Sequence, residues 1–208
     1  MKLINKQHNQ RLRRMIATLL LITFVNEVQP QLAAQVTSST PRRSKLASLS
    51  PLERLKIIWR PGTQKQMEEL KGKVVVLYFW SYKSPTSVKE MPAMMDIADK
   101  LNDTPVVWIA VHDTSLKTID ELDTKLRDLE KVWGRQLNVT LVLDERSQFP
   151  MGGFVPHNED STDSASITAR RFGALYLPSI VIIPQADKEI KRVSKDDLEK
   201  TVRQLLTK

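Results

Sequence analysis

Residues 73–92 read KVVVLYFWSYKSPTSVKEMP, and the rest of the chain is read outward from them. After Lys73 the stretch is apolar without a break to Trp80, the pattern of a central strand covered on both faces. A helix follows. Ser84 precedes Pro85, a residue suited to the first helical position, and Ser87 opens a capping box that Glu90 closes. The helix therefore starts at one of the two serines and runs to Leu101, with Pro92 expected to kink or restart it.

Strand-like and helix-like segments alternate on the C-terminal side. Apolar runs at 105–112, 138–144, 179–183 and 189–193 read as strands. Ile119, Leu122, Leu126, Leu129 and Trp133 recur at helical spacing over 119–133, a shorter helix over 167–172 stops at Gly173, and Ser194 with Asp197 opens a last one. Trp80, Trp108 and Trp133 are expected in the core. Residues 145–166 are polar and carry no periodic pattern. This alternation predicts an α/β domain around a central sheet.

Upstream, Ser50, Pro51 and Glu53 are laid out as a helix start, and Leu52, Leu55, Ile58 and Trp59 would share one face of the helix that follows. The reading is an accessory helix ending near Arg60, Pro61 and Gly62 and docking on the main domain. Residues 35–50 are rich in Ser, Thr, Pro and Arg and read as a linker. The expected organisation is a leader over 1–34, linker and accessory helix over 35–62, and the α/β domain over 63–208.

The net charge of +8 is concentrated in the leader and linker. Residues 1–45 hold eight Lys and Arg against Glu27 alone, or +7, which leaves +1 for residues 46–208. A near-neutral domain lacks the basic patch that phosphate backbones need, which argues against nucleic acid as the partner. The leader has a basic stretch ending in RLRR, the apolar run from Met15 to Val25, and small residues at Ala33 and Ala34. That is the layout of a secretory signal peptide, and the run is short of the roughly 20 apolar residues a bilayer span takes. Leu32 sits where a small residue is preferred before cleavage after Ala34, so an uncleaved membrane tether is the alternative. Either way the protein is expected to be exported, periplasmic or extracytoplasmic, and monomeric. The 208 residues contain no cysteine, so stability must come from the core and not from disulfides.

From about Glu68 to Leu206 the chain resembles the thioredoxin-like superfamily, and within it the exported TlpA and ResA type of thiol-disulfide oxidoreductases, the redoxins. The markers are Lys73 to Leu77, Phe79 and Trp80 before the motif, Glu90-Met91-Pro92 after it, and Leu177-Pro178-Ser179 leading into strand SIVII. The resemblance implies a central mixed sheet flanked by helices, and a cis peptide before Pro178 facing the motif. It also puts Ser84 and Ser87 where the family has its two cysteines. Lys83 stands at the family's usual aromatic position, and Tyr78 at a position that often carries an acid or amide for proton transfer. A serine hydroxyl cannot form the two-electron disulfide couple, so SPTS cannot run the family reaction.

Three functions remain in view. One is a redox-inactive domain that binds a polypeptide, since in the family the cis-proline loop offers its backbone to an extended peptide. Its groove would comprise Tyr82, Lys83, Ser84, Pro85, Thr86, Ser87, His112, Asp113, Leu177, Pro178 and Ser179. Another is an oxidoreductase acting with thiols supplied by a partner. The third is a serine hydrolase using Ser84, His112 and Asp113, which collect at the carboxyl end of the sheet. No GxSxG elbow supports it. His157, Glu159, Asp160 and Asp163 match no metal-site spacing, and neither a metal nor an organic cofactor is expected.

Overall fold

The computed structural model describes residues 49–63, 67–147, 166–185 and 189–207. All of them fall in the compact unit Leu49–Lys208. The leader, most of the linker, and His157, Glu159, Asp160 and Asp163 lie outside the described residues. A 3-10 turn at Leu52–Arg54 precedes β1 (Ile57–Trp59), α1 (Met67–Leu70), β2 (Val74–Trp80) and α2 (Pro85–Lys100). Then come β3 (Val106–His112), α3 (Ile119–Trp133), β4 (Thr140–Asp144) and α4 (Ile167–Phe172). β5 (Ser179–Ile183), β6 (Lys191–Val193) and α5 (Lys195–Leu206) complete the domain.

The six strands form one mixed sheet in the order β1-β4-β3-β2-β5-β6. β2, β3 and β4 are parallel, whereas β5 runs antiparallel to β2, β6 to β5, and β1 to β4. All seven residues of β2 are buried, as its unbroken apolar run requires. Its side chains alternate between two cores. Val74, Val76, Tyr78 and Trp80 pack with Met91, Met95, Leu122 and Leu198 from α2, α3 and α5. Val75, Leu77 and Phe79 pack on the other side with Leu52, Leu55, Leu70 and Phe172.

Where an accessory helix was expected, the chain makes only a turn. The local signal is present: Ser50 N donates to Glu53 Oε2 at 2.7 Å, and Glu53 N to Ser50 Oγ at 3.4 Å. After that turn the sheet edge takes over. Ile57, Ile58 and Trp59 pair with Asp144, Leu143 and Val142, and Lys56 exchanges hydrogen bonds with Thr168 Oγ1 through both its N–H, at 2.8 Å, and its carbonyl, at 2.7 Å. Two β-branched residues and a tryptophan fit an edge strand better than a helix. Residues 49–62 thus belong to the sheet domain.

α2 runs through Pro92 without restarting. A proline there removes the N–H that would bond the carbonyl four residues back, at Val88. Trp133 at the end of α3 supplies the missing donor, its Nε1 lying 3.0 Å from Val88 O. The proline thereby becomes a cross-link between α2 and α3. The helices end by local rules: Gly134 and Gly173 close α3 and α4 in the left-handed conformation, and Thr118 and Ser194 cap α3 and α5. Among the described residues no helix is long and apolar enough to cross a membrane.

The register fixes the site. Trp80 at the end of β2 is level with His112 at the end of β3, and Phe79 is level with Ser179 at the start of β5. The SPTS segment leaves the sheet at the end where the Leu177-Pro178 segment enters it.

Candidate functional site

Ser84 is the N-cap of α2, its Oγ accepting from Ser87 N at 3.1 Å, with Pro85 at the first helical position. Ser87 is a residue inside the first turn and not a second cap. Its hydroxyl is buried with no hydrogen-bond partner. Both serines have 0% exposure, so neither hydroxyl faces an incoming substrate. Tyr78 donates its hydroxyl to Ser87 O at 3.3 Å. Burial pushes the Tyr78 phenol well above its usual range, and the charge of Glu90 adds to the effect. Tyr78 therefore stays neutral and acts as a hydrogen-bond donor.

His112 is buried beneath the motif. Its Nε2 accepts from Tyr82 N at 3.0 Å, which puts the ring proton on Nδ1, 2.9 Å from Asp113 O and 3.3 Å from Asp113 Oδ1. The ring stacks on Tyr82 at 5.6 Å and meets Trp80 edge-on at 4.9 Å. Burial holds its pKa below the ordinary value. Asp113 opposes that shift and Lys83 reinforces it. Asp113 Oδ1 also accepts from Ser115 N at 3.1 Å and Ser115 Oγ at 2.5 Å.

This geometry lends the serine-hydrolase reading no support. A general base must present a free nitrogen to the nucleophile, but His112 Nε2 is occupied by the Tyr82 amide and Nδ1 faces its own neighbour. Ser84 meanwhile spends its oxygen on the helix cap.

The eleven groove positions divide into a floor and a surface. Ser84, Ser87, His112, Asp113 and Leu177 are buried. Lys83, Pro85 and Thr86 are exposed, and Tyr82, Pro178 and Ser179 are half-buried. The Leu177-Pro178 peptide is cis. Just before it, Leu175 is 45% and Tyr176 56% exposed, large apolar groups that the sequence reading did not include. Lys125 of α3 was also missed; its Nζ lies 5.6 Å from the centre of the Tyr82 ring. No local signal marks it, because only the packing of α3 beside β3 brings it to the motif. Among the described residues no group of three or more His, Cys, Asp or Glu is arranged to hold a metal.

The sequence profile of the AhpC/TSA family matches residues 55–150. No curated protein matches the sequence. Among solved structures, a thiol-disulfide isomerase from Corynebacterium glutamicum superposes with a TM-score of 0.57 at 17% identity, covering 76% of this chain and 97% of that one. A secreted Mycobacterium tuberculosis disulfide oxidoreductase, homologous to Escherichia coli DsbE, gives 0.50 at 18% identity, over 74% and 98%. The thioredoxin domain of a thiol-disulfide oxidoreductase from Bacteroides vulgatus gives 0.50 at 16%, over 73% and 92%. At such identities the likeness establishes the fold. The chain carries a thioredoxin-like domain, and its residues 55–150 match the AhpC/TSA family.

Proposed function

We propose that the protein is an exported thioredoxin-like domain that has lost thiol-disulfide chemistry and binds an extended polypeptide at the SPTS end of its sheet. The observation that carries this reading is the exposure of Leu175 and Tyr176 beside Pro178, at the sheet end where Tyr82 and Lys83 emerge. Large apolar side chains left in the open favour a partner that covers them. The chemistry points the same way. The chain has no thiol, both serines are buried, and Tyr78 has no proton acceptor to offer. Export rests on the basic and apolar layout of the leader.

The second reading, an oxidoreductase relying on partner thiols, is favoured by the fold alone. One pair of measurements on the full chain separates the two. Calorimetric titration with an unfolded, cysteine-free polypeptide should show saturable binding, and insulin reduction with dithiothreitol should stay at background. The Ser84→Cys/Ser87→Cys variant should form its disulfide yet remain near background, because position 84 is buried and Tyr78 cannot accept a proton. Turnover by the unmodified chain would overturn the binding-only reading, as would an absence of polypeptide binding. Full activity of the double variant would show that only the sulfurs had been lost.

A further inference from the structure

We infer that the polypeptide bound at this site is acidic, an extended segment with carboxylates beside an apolar side chain. The inference rests on the polypeptide-binding reading and adds the chemistry of the partner. Tyr82 is flanked by two ammonium groups, Lys83 Nζ at 5.8 Å and Lys125 Nζ at 5.6 Å from its ring centre. Both lysines are exposed, and they come from different elements, the loop after β2 and the second turn of α3. A ring face holds one exposed cation by about 0.5–1 kcal/mol. Two cations sharing one ring repel each other, and a carboxylate between them would relieve that repulsion.

Among the described residues, the carboxylates on α3 and around the motif have other partners. On α3, the acids one turn from Lys125 are Glu121, whose Oε2 accepts from Lys117 N at 2.7 Å, and Asp128, 3.2 Å from Lys131 Nζ. Asp123 is 3.0 Å from Arg60 Nη2. On the motif side, Glu90 lies 3.5 Å from Lys195 Nζ, and Asp113 is held by Ser115 and faces His112. The first turn of α2 carries no acid. Among the described residues Lys83 and Lys125 make no ion pair, so an acidic ligand meets no described carboxylate already paired with them. Exposed Leu175 and Tyr176 supply the apolar half of the surface. A nucleic acid fits less well, because residues 46–208 carry only +1.

The test uses fluorescein-labelled peptides of alternating Val-Glu, Val-Gln and Val-Lys with the full chain, read by anisotropy. The Val-Glu peptide should bind about ten-fold more tightly than Val-Gln, with the gap closing as salt rises. Lys83→Glu with Lys125→Glu should abolish that preference and turn it toward Val-Lys. Equal affinity for Val-Glu and Val-Gln, unaltered by the charge reversals, would overturn the acidic partner while leaving polypeptide binding in place. Failure of all three peptides to bind would remove the polypeptide reading itself. Tighter binding of an oligothymidylate than of Val-Glu would assign the lysine pair to nucleic acid and overturn the proposal.

Discussion

Trp80→Ala is expected to cost the domain about 3–5 kcal/mol, read as a fall in the urea midpoint with little change in slope. Trp80 is fully buried in the core that β2 shares with α2, α3 and α5. It contacts His112 edge-on and lies 6.4 Å from Trp133. Its own Nε1 has no hydrogen-bond partner, so the loss is one of packing alone. Removing the ring also loosens two functional supports. His112 loses the wall that fixes its plane beneath Tyr82, and Trp133 loses a neighbour while it holds Val88 O. Trp80→Phe keeps most of the buried area and should cost much less. A loss under about 1 kcal/mol for Trp80→Ala would mean that the motif is not built on this core.

The second large effect is a pair of opposed pH dependences. Asp144 is buried at the end of β4 and accepts from Thr168 N at 2.7 Å and Ala169 N at 2.8 Å, at the start of α4. Burial outweighs those hydrogen bonds and pushes its carboxyl from 3.8 up to about 6. Between those values the folded chain keeps a proton that the unfolded chain has released. Asp144 thus makes stability fall as pH rises from about 4 to about 6, by about 2–3 kcal/mol, with no further change above. His112 acts in the other direction. Its folded pKa lies below the ordinary 6.5, so under that pH the unfolded chain takes a proton that the folded one refuses, and stability falls with acid.

In the unmodified protein the two slopes partly cancel, and chemical denaturation between pH 4.5 and 7.5 should give a shallow profile. Asp144→Asn removes one term, leaving stability to fall with acid below about 6.5. His112→Gln, whose side-chain oxygen can still accept from Tyr82 N, removes the other, and stability should rise from pH 6 toward pH 4.5. Parallel profiles for the two variants would show that neither group titrates as its burial requires.

Much of the fold was legible because its elements obey local rules. The apolar run of β2, the helical spacing of α3, the glycine after α4 and the serine before α5 each decide a boundary by propensity or capping. The misreadings lie where tertiary contacts outrank those rules. Ser50 and Glu53 do make their capping bonds, but four residues after Glu53, Ile57 is claimed by the edge of β4. Their β-branched neighbours were the overlooked signal. Pro92 reads as a helix break, and only Trp133, 41 positions on, shows how its orphaned carbonyl is satisfied. The four-residue α1 is too short to carry a periodic pattern.

The site was less legible than the scaffold. The sequence places Ser84, Ser87 and His112 at one end of the sheet but does not reveal that all three are buried. It shows that Tyr82 and Lys83 are adjacent but not that Lys125 comes to the same ring. Nor does it reveal that Leu175 and Tyr176, flanked by apolar neighbours, are the exposed ones. These properties depend on which surfaces the fold covers, and no short stretch of sequence encodes them.

Amide chemical-shift mapping on the full chain during titration with the Val-Glu peptide tests polypeptide binding at the SPTS end most directly. Saturable shifts should concentrate on Tyr82, Lys83, Thr86, Leu175, Tyr176, Leu177 and Ser179, leaving β6 and the C-terminal half of α5 unmoved. Shifts confined to the hollow along α3 lined by Thr124, Arg127, Lys131 and Arg135 would place binding elsewhere on the domain. That result, or no saturable shift at all, would contradict the proposed site.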